Sequence, residues 1–66
     1  MPVRDTVRDV LGLLAADGWF LHTQTGSHRQ FKHEMKPGRV TVAGKPSDTL
    51  HPKTAASIFR QAQFTP

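Results

Sequence analysis

The residues best suited to chemistry lie in a segment where a glycine precedes a histidine, several cations and one aromatic residue: Gly26-Ser27-His28-Arg29-Gln30-Phe31-Lys32-His33. An unperturbed imidazole titrates near pH 6.5, so much of it is neutral in the cell and can accept a proton. Such a base can remove the proton of an RNA 2′-hydroxyl, while a neighbouring cation stabilises the charge that develops on phosphorus. We therefore predict that His28 is a general base acting on RNA.

Two further residues are candidates for the second proton transfer or for charge stabilisation. His22 lies on the predicted strand before that of His28, and Lys45 lies in the loop after the third predicted strand. His22 can equally be a polar strand residue with no chemical role. His33 alternates with Phe31 and should lean toward the core, where its ring would be hydrogen-bonded at the rim.

Other kinds of site find little support. His51 precedes Pro52 and is typical of the residue at the start of a helix. The spacing of the four histidines matches no closed zinc site, and the chain has no cysteine, so we predict no metal site and no cofactor. Ser27 has no evident oriented base and carboxylate that would make it a nucleophile.

The charge of the chain favours a polyanionic ligand. Nine Lys and Arg residues face five Asp and Glu, giving a net charge of +4. Residues 1–18 carry a net charge of −1, whereas residues 19–66 carry +5. A positive field confined to one part of a domain is typical of a phosphate-facing surface, and RNA is the expected ligand. Solubility alone would also account for this balance.

The length predicts one domain over residues 1–66, because 66 residues leave no room for a second core. So short a chain buries only about 60% of the surface that its unfolded form exposes, and its stability should therefore be modest. No apolar run approaches the ~20 residues of a membrane span. The first residues lack the charged start and apolar stretch of a secretory signal. We expect a cytoplasmic protein without membrane contact.

Hydrophobic periodicity predicts an α+β fold of order α-β-β-β-α. A helix is expected over residues 3–16, ending at Gly18, and a second from His51 or Pro52 to Gln63. Strands are expected over residues 19–23, 27–34 and 39–43, forming a three-stranded antiparallel sheet. Both helices would pack on one face of this sheet and leave the other face open.

A strand period of two assigns each side chain to one face of the sheet. The inward set is Trp19, Leu21, Phe31, Val40 and Val42. The outward set is Phe20, His22, His28, Gln30, Lys32 and Thr41. We predict RNA contacts from Phe20, His22, Arg29, Gln30, Lys32, Thr41 and Lys45. Phe20 could stack on a base, lie beneath a partner protein or cover a sheet edge.

Several segments together resemble the HicA toxin family of small messenger-RNA interferases. They are Asp17-Gly18-Trp19, Gly26-Ser27-His28, Phe31-Lys32-His33, Val40-Thr41-Val42 and the helix with Ile58 and Gln61-Ala62. The resemblance implies a double-stranded-RNA-binding-like fold and a type II toxin that cleaves RNA without metal, using the histidine of Gly-Ser-His, here His28. It also implies a HicB-like antitoxin partner, with the chain monomeric alone and hetero-oligomeric with that partner.

One departure from the family concerns the loop after the third strand. Many members carry a histidine there, where this chain has Gly44-Lys45-Pro46. A lysine is a poor proton donor at neutral pH because its reference pKa is near 10.4. Two alternatives to the nuclease remain. One is a non-catalytic RNA-binding module of the same fold, and the other is a protein-interaction domain that docks through the open face.

Overall fold

The computed structural model describes residues 6–64 and contains two helices and three strands. The elements follow the order α1 (Val7–Ala16), β1 (Phe20–Thr25), β2 (His28–Lys32), β3 (Val40–Val42) and α2 (Pro52–Gln61). The strands form one antiparallel sheet with β2 in the centre. The predicted α+β architecture, with its double-stranded-RNA-binding-like order, is confirmed. Within residues 6–64, neither helix is long and apolar enough to cross a bilayer.

Helix α1 begins later than predicted because Thr6 is its N-cap. Thr6 has an extended backbone, and its hydroxyl accepts a hydrogen bond from the Asp9 amide. A threonine followed three residues later by an acidic residue is a known helix-start signal. The helix therefore starts at Val7 rather than at residue 3. The part of the predicted helix over residues 3–5 lies outside the described residues.

A two-residue turn joins β1 to β2. Thr25 pairs with His28 across Gly26-Ser27, and Gly26 has a φ of 59°. Positive φ at the first central position is what a type II′ hairpin turn requires, and glycine adopts it without strain. This turn extends β1 to Thr25, two residues beyond the prediction, and makes His28 the first residue of β2.

The strand β1 contains an irregularity that the period-two prediction did not include. Its register with β2 shifts between Leu21 and Thr23, so that Leu21 lies opposite Phe31 and Thr23 lies opposite Gln30. His22 is the residue left without a partner at this bulge. Without the bulge, the register would place Thr23 opposite Arg29; with it, Thr23 lies opposite Gln30 and so points to the face away from Phe31.

The core lies between the helices and one face of the sheet. Its buried residues are Val7, Val10, Leu14, Trp19, Phe31, Val40, Val42, Leu50, Ala55, Ile58 and Ala62. The inward placement of Trp19, Phe31, Val40 and Val42 is thus confirmed. The predicted burial of Leu21 is wrong, since this side chain is 49% exposed. It shares the row of Phe31, but every residue of β1 is exposed, whereas α2 packs against β3 at the other edge of the sheet.

The long connection between β2 and β3 is fastened to both helix C-termini by one lysine. The Lys36 ammonium lies 2.6 Å from an Asp17 carboxylate oxygen at the end of α1. The same ammonium donates to the carbonyl oxygens of Ala62 and Gln63 after α2 and lies over the Phe64 ring. These contacts anchor the seven-residue connection between β2 and β3 to the ends of both helices.

Candidate functional site

The face of the sheet that the helices leave uncovered carries three rows of side chains. Residues directly opposite each other on antiparallel strands point to the same face. Because Phe31 and Val40 point into the core, their strand neighbours point to the other face. We call this surface the open face. Its rows are His28 with Thr25, Gln30 with Thr23 and Thr41, and Lys32 with Phe20.

His28 occupies the hairpin end of the open face. Its side chain is exposed, directly after the Gly26-Ser27 turn. Within residues 6–64 its ring nitrogens make no hydrogen bond, so both remain available to a ligand or to water. The turn leaves open space around Gly26, where a hypothetical Cβ would meet no atom within 4 Å. A large ligand can therefore approach His28 from the turn side.

His33 has a structural role that satisfies both of its ring nitrogens. The Nδ1 atom accepts hydrogen bonds from the amides of Met35 and Lys36, at 2.9 and 3.1 Å. Since an accepting nitrogen carries no proton, Nε2 carries it and donates to the Asp17 carbonyl oxygen at 2.6 Å. The ring also meets Trp19 edge to face. The predicted position of His33 at the rim of the core is confirmed.

Of the other two imidazoles besides His28 and His33, one is hydrogen-bonded to the backbone and one is not. The Nδ1 atom of His51 accepts from the Lys53 amide, which makes His51 the N-cap of α2, as the sequence predicts. His22 lies exposed at the bulge of β1. His22 and His28 are thus the two histidines whose rings form no hydrogen bond within the described residues. His33 and His51 thus have structural hydrogen bonds, whereas His22 and His28 face solvent.

Arg29 lies on the helix side of the sheet rather than on the open face. It is opposite the buried Val42, and its guanidinium donates to the carbonyl oxygens of Gly44, at 2.8 Å, and Ser27. These bonds join the start of β2 to the loop after β3. The predicted contact of Arg29 with RNA stays a prediction, but the structure does not bring this side chain together with Gln30 and Lys32.

Lys45 lies in a loop that several hydrogen bonds fix in place. Its amide donates to the Asp48 carboxylate, and the carbonyl oxygens of Pro46 and Asp48 accept from the first amides of α1. Because Val42 lies opposite Arg29, the chain leaves β3 at the end of the sheet where β2 begins. Lys45 and His28 therefore lie at the same end of the sheet.

Arg39 belongs to the open face, although no sequence motif singles it out. Its guanidinium donates to the Gln30 side-chain oxygen at 3.1 Å. Arg39 directly precedes the buried Val40, so a strand period of two places it on the same side as Thr41. That alternation was the available signal. The bond also orients the Gln30 carboxamide, whose NH₂ group is left free to donate to a ligand.

The positive charge of this face is not neutralised by nearby carboxylates. The one ion pair among residues 6–64 joins Lys36 to Asp17, away from the open face. There the Lys36 hydrogen bond and charge, with a further hydrogen bond from Trp19, hold the pKa of the Asp17 carboxyl below its ordinary value. Within the described residues no three His, Asp or Glu side chains are grouped as metal ligands.

Comparison with known families identifies the relationship of the chain. The model of the family described as HicA toxin of bacterial toxin-antitoxin matches residues 7–64, most of the 66-residue chain. The chain belongs to the HicA toxin family. A comparison with curated proteins gives no match. The match confirms the family predicted from the order of segments along the chain, and it includes every element from α1 to α2. HicA membership supports the role of a toxin in a two-component module with an antitoxin and an RNA target.

Proposed function

We propose that this HicA-family chain is an endoribonuclease that cleaves messenger RNA without a metal ion, with His28 as its general base. The observation that carries the proposal is the position of His28. It is exposed beside an open turn, and its ring forms no hydrogen bond within residues 6–64. His33 and His51, in contrast, have their Nδ1 atoms occupied by backbone amides.

The reaction requires two proton transfers. The neutral imidazole of His28 takes the proton of a ribose 2′-hydroxyl, and the 2′-oxygen then attacks the adjacent phosphorus. The bond from phosphorus to the 5′-oxygen of the next nucleotide breaks, and that oxygen takes up a proton. The products are a 2′,3′-cyclic phosphate and a 5′-hydroxyl end. The protonated imidazole, or a water molecule, supplies the second proton.

Lys45 is the cation that we propose stabilises charge at the reacting phosphate. It shares the hairpin end of the sheet with His28, whereas Lys32 lies four residues along β2, roughly 13 Å away at the ordinary strand rise. The Lys45 loop is held by Asp48 and by the start of α1, so it needs little reorganisation when RNA binds. A lysine ammonium is a poor proton donor at neutral pH, so the role proposed for Lys45 is electrostatic.

We propose that a HicB-like antitoxin neutralises the toxin by covering the open face. Phe20, which lies in the Lys32 row of the open face, is about half exposed. A partner seated here would bury this ring and block the approach to Gln30 and Lys32. In this proposal the chain is a cytoplasmic monomer on its own and part of a hetero-oligomer with the antitoxin.

A non-catalytic RNA-binding module is the second candidate. One observation favours it. A general base is usually oriented by a hydrogen bond from a third group, and no described residue makes such a bond to the His28 ring. In this reading His28 contacts a phosphate or a 2′-hydroxyl without taking its proton. The two candidates predict the same RNA contacts and differ only in chemistry.

The experiment that separates the two candidates is analysis of the ends of RNA incubated with the purified chain in EDTA. A nuclease of the proposed kind leaves 2′,3′-cyclic phosphate and 5′-hydroxyl ends. Intact RNA, together with salt-sensitive binding, would establish the binding module instead. Ends that carry a 5′-phosphate would contradict attack by the 2′-hydroxyl and would remove the role given to His28.

A further inference from the structure

Phe20, Lys32 and Arg39 form a second cluster on the open face, at the opposite end from His28. Phe20 lies directly opposite Lys32. Phe31 lies opposite Val40, so the antiparallel register, continued by one residue, places Arg39 opposite Lys32. One aromatic ring and two cations therefore lie side by side across the three strands, and we call them the distal cluster.

The two cations of this cluster are available to an anion. Neither Lys32 nor Arg39 lies within 4 Å of a carboxylate among residues 6–64, where the only ion pair is that of Lys36 and Asp17. Arg39 is exposed, and its one side-chain hydrogen bond goes to the Gln30 oxygen. A guanidinium has five N–H donors, so that bond fixes its position while leaving donors for a phosphate.

The exposed ring supplies the other half of a nucleotide-binding surface. Phe20 is 48% exposed and lies in the Lys32 row, on the face of the sheet away from the core. Aromatic side chains beside a cationic groove stack on unpaired bases without sequence preference. We propose that the distal cluster binds a nucleotide of single-stranded RNA away from the cleaved bond, its phosphate held by Lys32 and Arg39 and its base stacked on Phe20.

This inference rests on the proposed RNA substrate and adds the path that the RNA follows across the protein surface. The four residue steps from His28 to Lys32 span roughly 13 Å. Even at about 3.4 Å per nucleotide, the spacing along one strand of B-DNA, this distance corresponds to more than one nucleotide, so the bound RNA extends beyond the bond beside His28. Gln30, oriented by Arg39, lies between the two ends and donates to whatever part of the strand crosses it.

The test measures RNA binding as a function of salt with His28→Ala present throughout, so that the RNA stays intact. The probe is a fluorescein-labelled, unstructured 20-nucleotide RNA, followed by fluorescence anisotropy. One protein adds K32Q and R39Q to His28→Ala. The matched control adds K53Q and R60Q instead, which also removes one lysine and one arginine charge, but from α2 on the other side of the sheet. A third protein adds Phe20→Ala.

Each phosphate contact to a single strand contributes about 0.7 to the slope of log affinity against log salt. We expect the K32Q/R39Q protein to lose about 1.4 from that slope, so that a tenfold rise in salt weakens it roughly 25-fold less than its parent. The control keeps the parental slope. Phe20→Ala weakens binding roughly 5- to 100-fold with little change in slope, because stacking releases no counterions. An equal loss of slope in the control, or none in K32Q/R39Q, would overturn the distal cluster.

The measurement is independent of catalysis, so the two proposals can fail separately. Cleavage by the unmutated chain with no slope change in K32Q/R39Q would refute the distal cluster and leave the nuclease standing. The expected slope change in a chain that cleaves no RNA would refute the nuclease and leave the distal cluster as part of an RNA-binding surface.

Discussion

His28 and His33 provide a paired prediction, because one is proposed to be functional and the other is held by structural bonds. Replacing His33 with alanine removes three hydrogen bonds, to the Asp17 carbonyl and from the amides of Met35 and Lys36. It also removes the edge-to-face contact with Trp19 at 5.2 Å. Replacing His28 removes no hydrogen bond within the described residues.

The expected cost follows from these contacts. A hydrogen bond contributes about 1 kcal/mol net, and water can replace part of the loss where the amide is exposed, as at Met35. The aromatic contact adds about 0.5–1.5 kcal/mol. We therefore expect His33→Ala to cost roughly 2–4 kcal/mol, a large share of the ~3–10 kcal/mol typical of a domain of this size. His28→Ala should stay within about 0.5 kcal/mol of the parent.

Thermal unfolding followed by far-ultraviolet circular dichroism measures both variants. For a domain of this length 1 kcal/mol corresponds to about 4–8 °C, so His33→Ala should lower Tm by at least about 8 °C. His28→Ala should shift it by only a few degrees. A His33→Ala protein that melts with the parent would refute the structural role. Equal losses in both variants would show that His28 also supports the fold and would undermine its assignment to catalysis.

Two further predictions concern the packing and the charge pair. Phe31→Ala removes the aromatic side chain that packs beside Val40 in the core and should cost about 3–5 kcal/mol, enough to unfold much of the population at 37 °C by circular dichroism. Asp17→Asn removes a carboxyl whose pKa is held below its ordinary value, mainly by the Lys36 hydrogen bond. A lowered folded pKa stabilises the fold above about pH 4 and loses that effect as pH falls through the folded value. Asp17→Asn should therefore be less stable than the parent in urea at pH 6, and the gap should close toward pH 3. A constant gap would contradict the pair.

The order of elements and the content of the open face follow from local periodicity. Apolar residues at helical spacing predict the C-terminal end of α1 and most of α2, because each helix must bury one stripe. Alternation around Phe31 and Val40 assigns His28, Gln30, Lys32 and Thr41 to the open face, and the register confirms those positions. These features depend on residues a few positions apart.

The features that could not be predicted depend on contacts between distant parts of the chain. The bulge at His22 has no compositional signature, and it changes which residues of β1 share a row with Gln30. The period of two already places Arg29 on the helix side, but its bond to the carbonyl oxygen of Gly44, fifteen residues away, has no local signal. The exposure of Leu21 follows from where the helices pack, since α2 lies against β3 at one edge of the sheet while β1 at the other edge stays exposed. The alternation of residues in β1 does not encode this.

The most direct test of the central claim compares RNA cleavage by the unmutated chain, His28→Ala and His51→Ala in EDTA. His51→Ala is the matched control, because it removes an imidazole whose structural bond lies at the start of α2. Folding of each protein is confirmed by circular dichroism. The account predicts cleavage by the unmutated chain and by His51→Ala, and none by a folded His28→Ala. Cleavage by His28→Ala at the parental rate would show that the general base is another group.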